Sequence, residues 1–237
     1  MQITSAVTNW LWVGFFGMLV GTALIYLIGS KLKQSQKYHV YLAMIITSIA
    51  TIAYYAMANN QGIFIVNGKE VFAARYIDWV LTTPLLLLSL LLIAFPAGKD
   101  AAKLREKVGL FATVIFADIV MIVTGLFANL SSNTNNQRFW FVLSFIAFLV
   151  VIWQMYGPVR EQAKNLGAGA NKFFTNMLTY LLVLWFIYPI VWLLGTSGYD
   201  KISLGAEVSI YAVLDLCAKA VFGIFLVLYM KDVKNVE

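Results

Sequence analysis

Residues 205–230 read GAEVSIYAVLDLCAKAVFGIFLVLYM. Twenty-six residues in succession hold three charged side chains, Glu207, Asp215 and Lys219. A membrane span needs about 20 predominantly apolar residues, so this stretch reads as a helix crossing a bilayer. Lys219 falls at the fifteenth place, near the middle. An unpaired ammonium there is strongly unfavourable, so it must be neutral, paired with counter-ions or covalently modified. Asp215, four residues earlier, lies on the same helix face.

Six further apolar runs precede it: Val7–Ser30, Tyr38–Asn59, Arg75–Phe95, Val108–Leu130, Phe139–Tyr156 and Phe173–Gly195. Helix is the expected state of all seven, because an open strand cannot satisfy its backbone groups in lipid. The composition agrees. Of 237 residues, 61% are apolar and 12% charged, and the mean hydropathy is +0.81. A soluble domain carries about twice that charged fraction, which argues against a soluble enzyme, a nucleic-acid binder and a disordered chain. Seven spans use about 140 to 160 residues. Short loops take the rest, so residues 1–237 form one domain. The expected fold class is an all-α membrane protein, a seven-transmembrane-helix bundle.

The net charge of +6 reports orientation. Lys31, Lys33 and Lys37 lie in the first loop, Lys99, Lys103, Arg105 and Lys107 in the third, Arg160, Lys164 and Lys172 in the fifth, and Lys231 and Lys234 in the tail. The opposite side holds Lys69, Arg138 and Lys201, with Arg75 at its margin. The positive-inside rule puts the first set in the cytoplasm, hence the N-terminus outside and the C-terminus inside. No Lys or Arg precedes Lys31, so the first run lacks a signal peptide's basic n-region and is expected to stay as a span. In the second loop, two apolar strand-like runs flank Asn67-Gly68, a hairpin turn signal. Gly167-Ala-Gly-Ala reads as a flexible connector. The single cysteine, Cys217, excludes an internal disulfide. The single histidine, His39, read as part of the basic first loop, excludes a His-rich metal site and a Ser-His-Asp triad within the bundle. No metal is expected.

Six charged residues remain in or at the spans: Arg75, Asp78, Asp118, Glu207, Asp215 and Lys219. Such residues are functional candidates, the alternative being packing ties between helices. Arg75, Asp78, Thr82 and Ser89 follow one another at +3, +4 and +7, one polar stripe on an apolar helix. Asp78 and Asp215 together can neutralise a cation on Lys219, and Arg75 balances the second negative charge. Trp79 adjoins Asp78, while Trp185, Tyr188, Pro189 and Trp192 share one face of the sixth run. Tryptophan in lipid prefers the interface, so deep Trp and Tyr read as walls around a flat apolar ligand. A buried lysine with counter-ions and aromatic walls is the pattern of a Schiff base to a long apolar aldehyde.

Three stretches carry a resemblance: Arg75-Tyr-Ile-Asp-Trp-Val-Leu-Thr-Thr-Pro84, Trp185-Phe-Ile-Tyr-Pro-Ile-Val-Trp192 and Leu214-Asp-Leu-Cys-Ala-Lys219. In this order the chain resembles the microbial (type 1) rhodopsins over nearly its whole length. The resemblance implies all-trans retinal bound covalently to Lys219, with Asp78 as counter-ion and proton acceptor and Asp215 as second counter-ion. It implies a pocket of Trp79, Thr83, Leu86, Met121, Gly125, Ser144, Phe148, Trp185, Tyr188, Pro189 and Trp192. Tyr54 matches the tyrosine that bonds Asp215, and Asp118 the fourth-span carboxyl near the ring.

The family is sorted by the positions that are Asp78, Thr82 and Ser89 here. Aspartate first argues against chloride and sodium pumps. Serine third departs from the usual proton pumps, which carry a carboxylic donor there, so reprotonation is expected to use water past Ser89. The implied cycle moves a proton from the Schiff base to Asp78, swings Arg75 toward Glu207, and releases a proton outward. Glu207 matches one member of the family's release pair, and its usual partner position is Ser197.

The implied activity is a light-driven outward proton pump rather than an enzyme. The alternatives are a sensory photoreceptor and, less favoured, an inward proton pump. Sensory and inward relatives generally replace the second counter-ion, and inward pumps carry Asp where this chain has Leu226. The expected partners are retinal, protons and the bilayer of a bacterial inner membrane, in a homo-oligomer, with no nucleic acid; the sequence offers no readable sign of a transducer.

Overall fold

A computed structural model describes residues 4–95 and 107–233. Among them, seven helices are long and apolar enough to cross a membrane: Ser5–Gly29, Gln34–Ala58, Ala73–Ala94, Val108–Leu130, Thr134–Lys164, Ala168–Leu194 and Leu204–Asp232. Lys99, Lys103, Arg105 and Lys234 lie outside the described residues. The chain divides into two compact units, Met1–Thr82 with Leu184–Glu237, and Thr83–Val183.

In the first unit, the first helix packs on the second and along the seventh. Val7, Leu11, Met18, Ala50, Tyr54, Met57, Phe72, Val208, Ala212 and Ala220 contribute to its apolar core. Small residues allow the approach. A Cβ on Gly14 would overlap the ring of Tyr54, and one on Gly21 would sit 2.6 Å from the Ala220 side chain. Strands β1 (Ile63–Val66) and β2 (Lys69–Phe72) pair antiparallel, with Val66 opposite Lys69 and Ile63 opposite Phe72. Asn67 and Gly68 take φ of 51° and 78°, the positive pair that a type I′ turn needs. The hairpin read from Asn67-Gly68 is therefore present.

In the second unit, the fourth and fifth helices pack along their length. Among the side-chain bonds that cross between helices, Thr83 Oγ1 donates to Asp118 Oδ2 at 2.7 Å, Ser144 Oγ donates to the Met121 carbonyl at 2.7 Å, and the hydroxyls of Tyr156 and Thr179 bond at 2.7 Å. The fifth helix starts at Thr134, five residues before the apolar run, because Asn133 caps it and accepts from the amides of Asn135 and Asn136. It also passes Tyr156. A π turn, Met155–Val159, absorbs Pro158, and Arg160–Lys164 completes a further helical turn.

Three expectations are corrected by these boundaries. Arg160, Lys164 and Lys172 are helical rather than loop residues. Gly167, with φ of 101°, stands alone outside a helix in the expected connector, because Ala168–Ala170 already belong to the sixth helix. His39 is not in a loop: the second helix proper begins at Lys37, and its inward face takes His39 to 2% exposure. The reason is common to all three. Hydropathy marks where a helix is greasy, whereas caps and polar helix formers decide where it ends.

Candidate functional site

The site of the first unit is built on the seventh helix. Leu204–Asp215 is α-helical, Leu216–Val221 widens into a π turn, and Phe222–Val233 resumes the α form. Lys219 sits inside the wide turn with 2% of its surface exposed. Its Nζ donates to Asp78 Oδ2 and lies 3.3 Å from Asp215 Oδ1. Both carboxylates are 1% exposed. Lysine and two aspartates thus form a buried triad, which the +4 spacing and the polar stripe on the third helix anticipated.

The two carboxylates are held differently. Asp78 receives Lys219 on Oδ2 and the Thr82 hydroxyl on Oδ1 at 3.3 Å, while the same hydroxyl also bonds the Asp78 carbonyl at 2.8 Å. Asp215 has more donors. Tyr54 donates to Oδ2 at 2.7 Å, and Oδ1 accepts from Tyr188 at 2.9 Å and Trp79 Nε1 at 3.1 Å. Both oxygens of this buried carboxylate are thus satisfied by aromatic donors. One aspartate is thereby locked, and the other is held by the cation and one hydroxyl.

Aromatic rings surround the triad. Trp79 meets Tyr188 edge-on at 5.1 Å and Tyr211 at 5.5 Å, and Tyr188 and Tyr211 lie 5.7 Å apart. Trp185 and Trp192 are buried on the sixth helix, at 6% and 8% exposure, and Tyr188 and Pro189 are half-buried between them in sequence. Tyr211 was missed by the sequence reading. It stands four residues before Asp215, so the series Tyr211, Asp215, Lys219 could have revealed it.

Arg75 behaves differently from expectation. Its guanidinium lies over the rings of Tyr211 at 4.7 Å and Phe72 at 5.0 Å, is 4% exposed, and makes no ion pair with an aspartate among the described residues. Cation–π contact holds it. Glu207 is buried in the first turn of the seventh helix, and Oε2 accepts from both the amide, at 2.9 Å, and the hydroxyl, at 3.0 Å, of Thr196. Thr196, one residue before the expected Ser197, is therefore a second residue that sequence reasoning missed.

In the second unit, Thr83 and Asp118 are joined, and so are Ser144 and Met121, as described. Leu86 and Phe148 are buried, and Met121 and Gly125 are half-buried. Ser89 is buried and bonds back to the Leu85 carbonyl at 2.9 Å. Asp118 Oδ1 has no hydrogen-bond partner among the described residues.

A membrane bundle that buries one lysine between two carboxylates defines a class of protein: a seven-helix scaffold for a cationic nitrogen deep in lipid. Comparison with known proteins gives the family. The pattern of the bacteriorhodopsin-like proteins matches residues 5–233. Bacteriorhodopsin of Haloterrigena sp. is 36% identical over 226 residues, 92% of this chain and 85% of that one. The thermophilic rhodopsin of Rubrobacter xylanophilus superposes with a TM-score of 0.90 at 37% identity, over 97% of this chain and 98% of that one. The light-driven proton pump rhodopsin of Coccomyxa subellipsoidea gives 0.86 at 35% identity, covering 96% and 98%.

The chain belongs to the bacteriorhodopsin-like family. It is a multi-pass membrane protein of a family of light-driven transporters and photoreceptors, not enzymes. Members bind retinal through a Schiff base to a lysine, and retinal is its expected chromophore.

Proposed function

We propose that this protein is a light-driven outward proton pump with retinal on Lys219. The observation that carries the reading is the buried Lys219 nitrogen within ion-pair reach of Asp78 and Asp215. Two carboxylates around one nitrogen suit an imine that is cationic in the dark and can pass its proton on, and buried Trp79, Trp185 and Trp192 suit an apolar chain beside it. Retinal bound there as a protonated Schiff base supplies light absorption and a light-driven change of shape.

The side chains then divide the proton's work. Asp78 Oδ2 takes the proton from the Lys219 nitrogen, while the Thr82 hydroxyl on Oδ1 keeps that carboxylate aimed. Asp215 is not the acceptor in this reading, because three aromatic donors already occupy its oxygens. Arg75, which lies over Tyr211 and Phe72, shifts its positive charge toward Glu207 as Asp78 loses its negative charge. Glu207 lies at the hairpin end, read as the outside. On the opposite side Ser89 offers no carboxylate. His39 is the sole histidine, buried with Nδ1 unbonded, but no described chain of bonds links it to Lys219, and uptake is read as coming from bulk water. The orientation, N-terminus outside, rests on the excess of Lys and Arg read on the opposite side, among them Lys31, Lys33, Lys37, Lys107, Arg160, Lys164, Lys172 and Lys231. The similarity to a Rubrobacter protein supports a bacterial inner membrane, and the exposed apolar flanks of the helices are compatible with a homo-oligomer.

Illumination of an unbuffered suspension of expressing cells tests the reading. Acidification abolished by a protonophore supports it. Alkalinisation would mean inward transport, and no change would favour a sensor.

A further inference from the structure

Between the hairpin and the seventh helix lies a contact that the pump reading does not use. Residues 194–202 fold into a turn held by its own amides. Tyr199 N donates to Leu193 O at 2.7 Å, Lys201 N to Leu194 O at 2.7 Å, and both Gly198 N and Asp200 N reach Gly195 O, at 3.1 and 2.9 Å. Two donors on the Gly195 carbonyl polarise the Gly195–Thr196 peptide and strengthen the Thr196 N–H as a donor. That N–H and the Thr196 hydroxyl both point at Glu207 Oε2. The carboxylate lies close against Gly195: a Cβ there would stand 2.5 Å from Oε2.

One tie reaches this turn from the hairpin. Lys69, the first residue of β2, donates through Nζ to the Thr196 carbonyl at 2.5 Å. Its partner in the strand register is Val66, across the tight Asn67-Gly68 turn, so the backbone that carries the ammonium is stiff. Lys69, itself exposed, thus ties the hairpin to the residue whose two donors hold the exit carboxylate.

We propose that Lys69 is a positioning residue for proton release: from the hairpin it clamps Thr196 on Glu207, so that the exit carboxylate stays doubly hydrogen-bonded and accepts a proton late in each cycle. The inference rests on the outward-pump reading and adds the timing of its last step. When the clamp holds, Thr196 occupies Oε2 with two hydrogen bonds, and a proton from Asp78 leaves after the rest of the cycle has run. When it is lost, Thr196 turns away, Glu207 can hold a proton in the dark, and that proton leaves early.

The test compares Lys69→Met, Lys69→Arg, Thr196→Val and the Lys69→Met/Thr196→Val pair, in full-length pigment. In the dark, infrared spectra are searched for a protonated carboxyl band that Glu207→Gln abolishes. After a flash, a pH-sensitive dye times the released proton against recovery of the dark visible band. Lys69→Met is expected to gain the dark carboxyl band and to release its proton about threefold earlier, the scale of one lost hydrogen bond. Lys69→Arg should keep the unaltered timing, and the double variant should add nothing to Thr196→Val. A pigment with Lys69→Met that shows neither change, or additive effects in the pair, overturns the clamp. If the unaltered protein fails to acidify the medium, the pump reading fails, and the dark carboxyl comparison still decides the role of Lys69.

Discussion

The two oxygens of Asp215 lead to an asymmetric prediction. Oδ1 accepts from Tyr188 and Trp79 and lies near the Lys219 ammonium, whereas Tyr54 is the hydrogen-bond donor to Oδ2. Tyr54→Phe removes one oxygen and leaves the ring against Gly14, so no cavity opens. It also strips Oδ2 of its donor in a site 1% exposed. A hydrogen bond to a charged group contributes about 1.5–3 kcal/mol, and a buried group left unsatisfied forfeits its desolvation as well. Tyr188→Phe removes a bond of similar length but leaves two groups on Oδ1. The assay is the half-life of the visible band at a fixed elevated temperature in detergent. If the full cost enters the barrier, Tyr54→Phe shortens that half-life by about 10- to 150-fold, at one decade per 1.36 kcal/mol. Tyr188→Phe should lose about tenfold or less. Equal losses, or a larger loss for Tyr188→Phe, would refute the view that Oδ2 depends on one tyrosine.

Four other outcomes follow from the same reasoning. Lys219→Ala supplied with retinal should form no pigment of native colour, and Asp78→Asn should form pigment yet abolish light-driven acidification; both are read by spectra and a pH electrode. Recovery after a flash should slow about tenfold for each unit of rising pH if uptake comes from bulk water, since the rate then follows proton concentration; a flat profile would point to an internal donor, and His39→Gln would then be the variant to time. Gly14→Val should lower pigment yield sharply, because its side chain would occupy the space of the Tyr54 ring and displace the donor on Asp215. A yield equal to that of the unaltered chain would contradict the packing.

Much of the fold was legible because lipid leaves few choices. Apolar runs of sufficient length must be helices, and all seven stand where hydropathy put them, within a few residues at most ends. The Asn67-Gly68 turn was legible for a different reason: few residue pairs tolerate two positive φ values. The larger misses, at Thr134, Lys164 and Ala168, are polar turns added to greasy helices. The Asn133 cap preceded one of them in plain sight. The π turn over Pro158 was less accessible, since it trades one hydrogen-bond register for another without changing composition.

The site was legible where charge is costly and obscure where it is not. Asp78, Asp215 and Lys219 stand out because each is expensive alone in a membrane, so any arrangement that folds must bring opposite charges together, and helical spacing fixed which pair share a face. Tyr211 and Thr196 carry no such cost. A tyrosine among apolar residues reads as packing, and a threonine in a polar turn reads as a loop, although one supports Arg75 and the other holds Glu207. Half of what Thr196 offers is a backbone amide, which every residue but proline possesses, so its side-chain type could not announce it. The same reasoning explains Lys69: its acceptor is a carbonyl, and its importance lies in which carboxylate that peptide's neighbour touches. The charged centre is thus selected by the membrane and visible in composition, whereas the exit is selected by backbone geometry and visible only once the turn is folded.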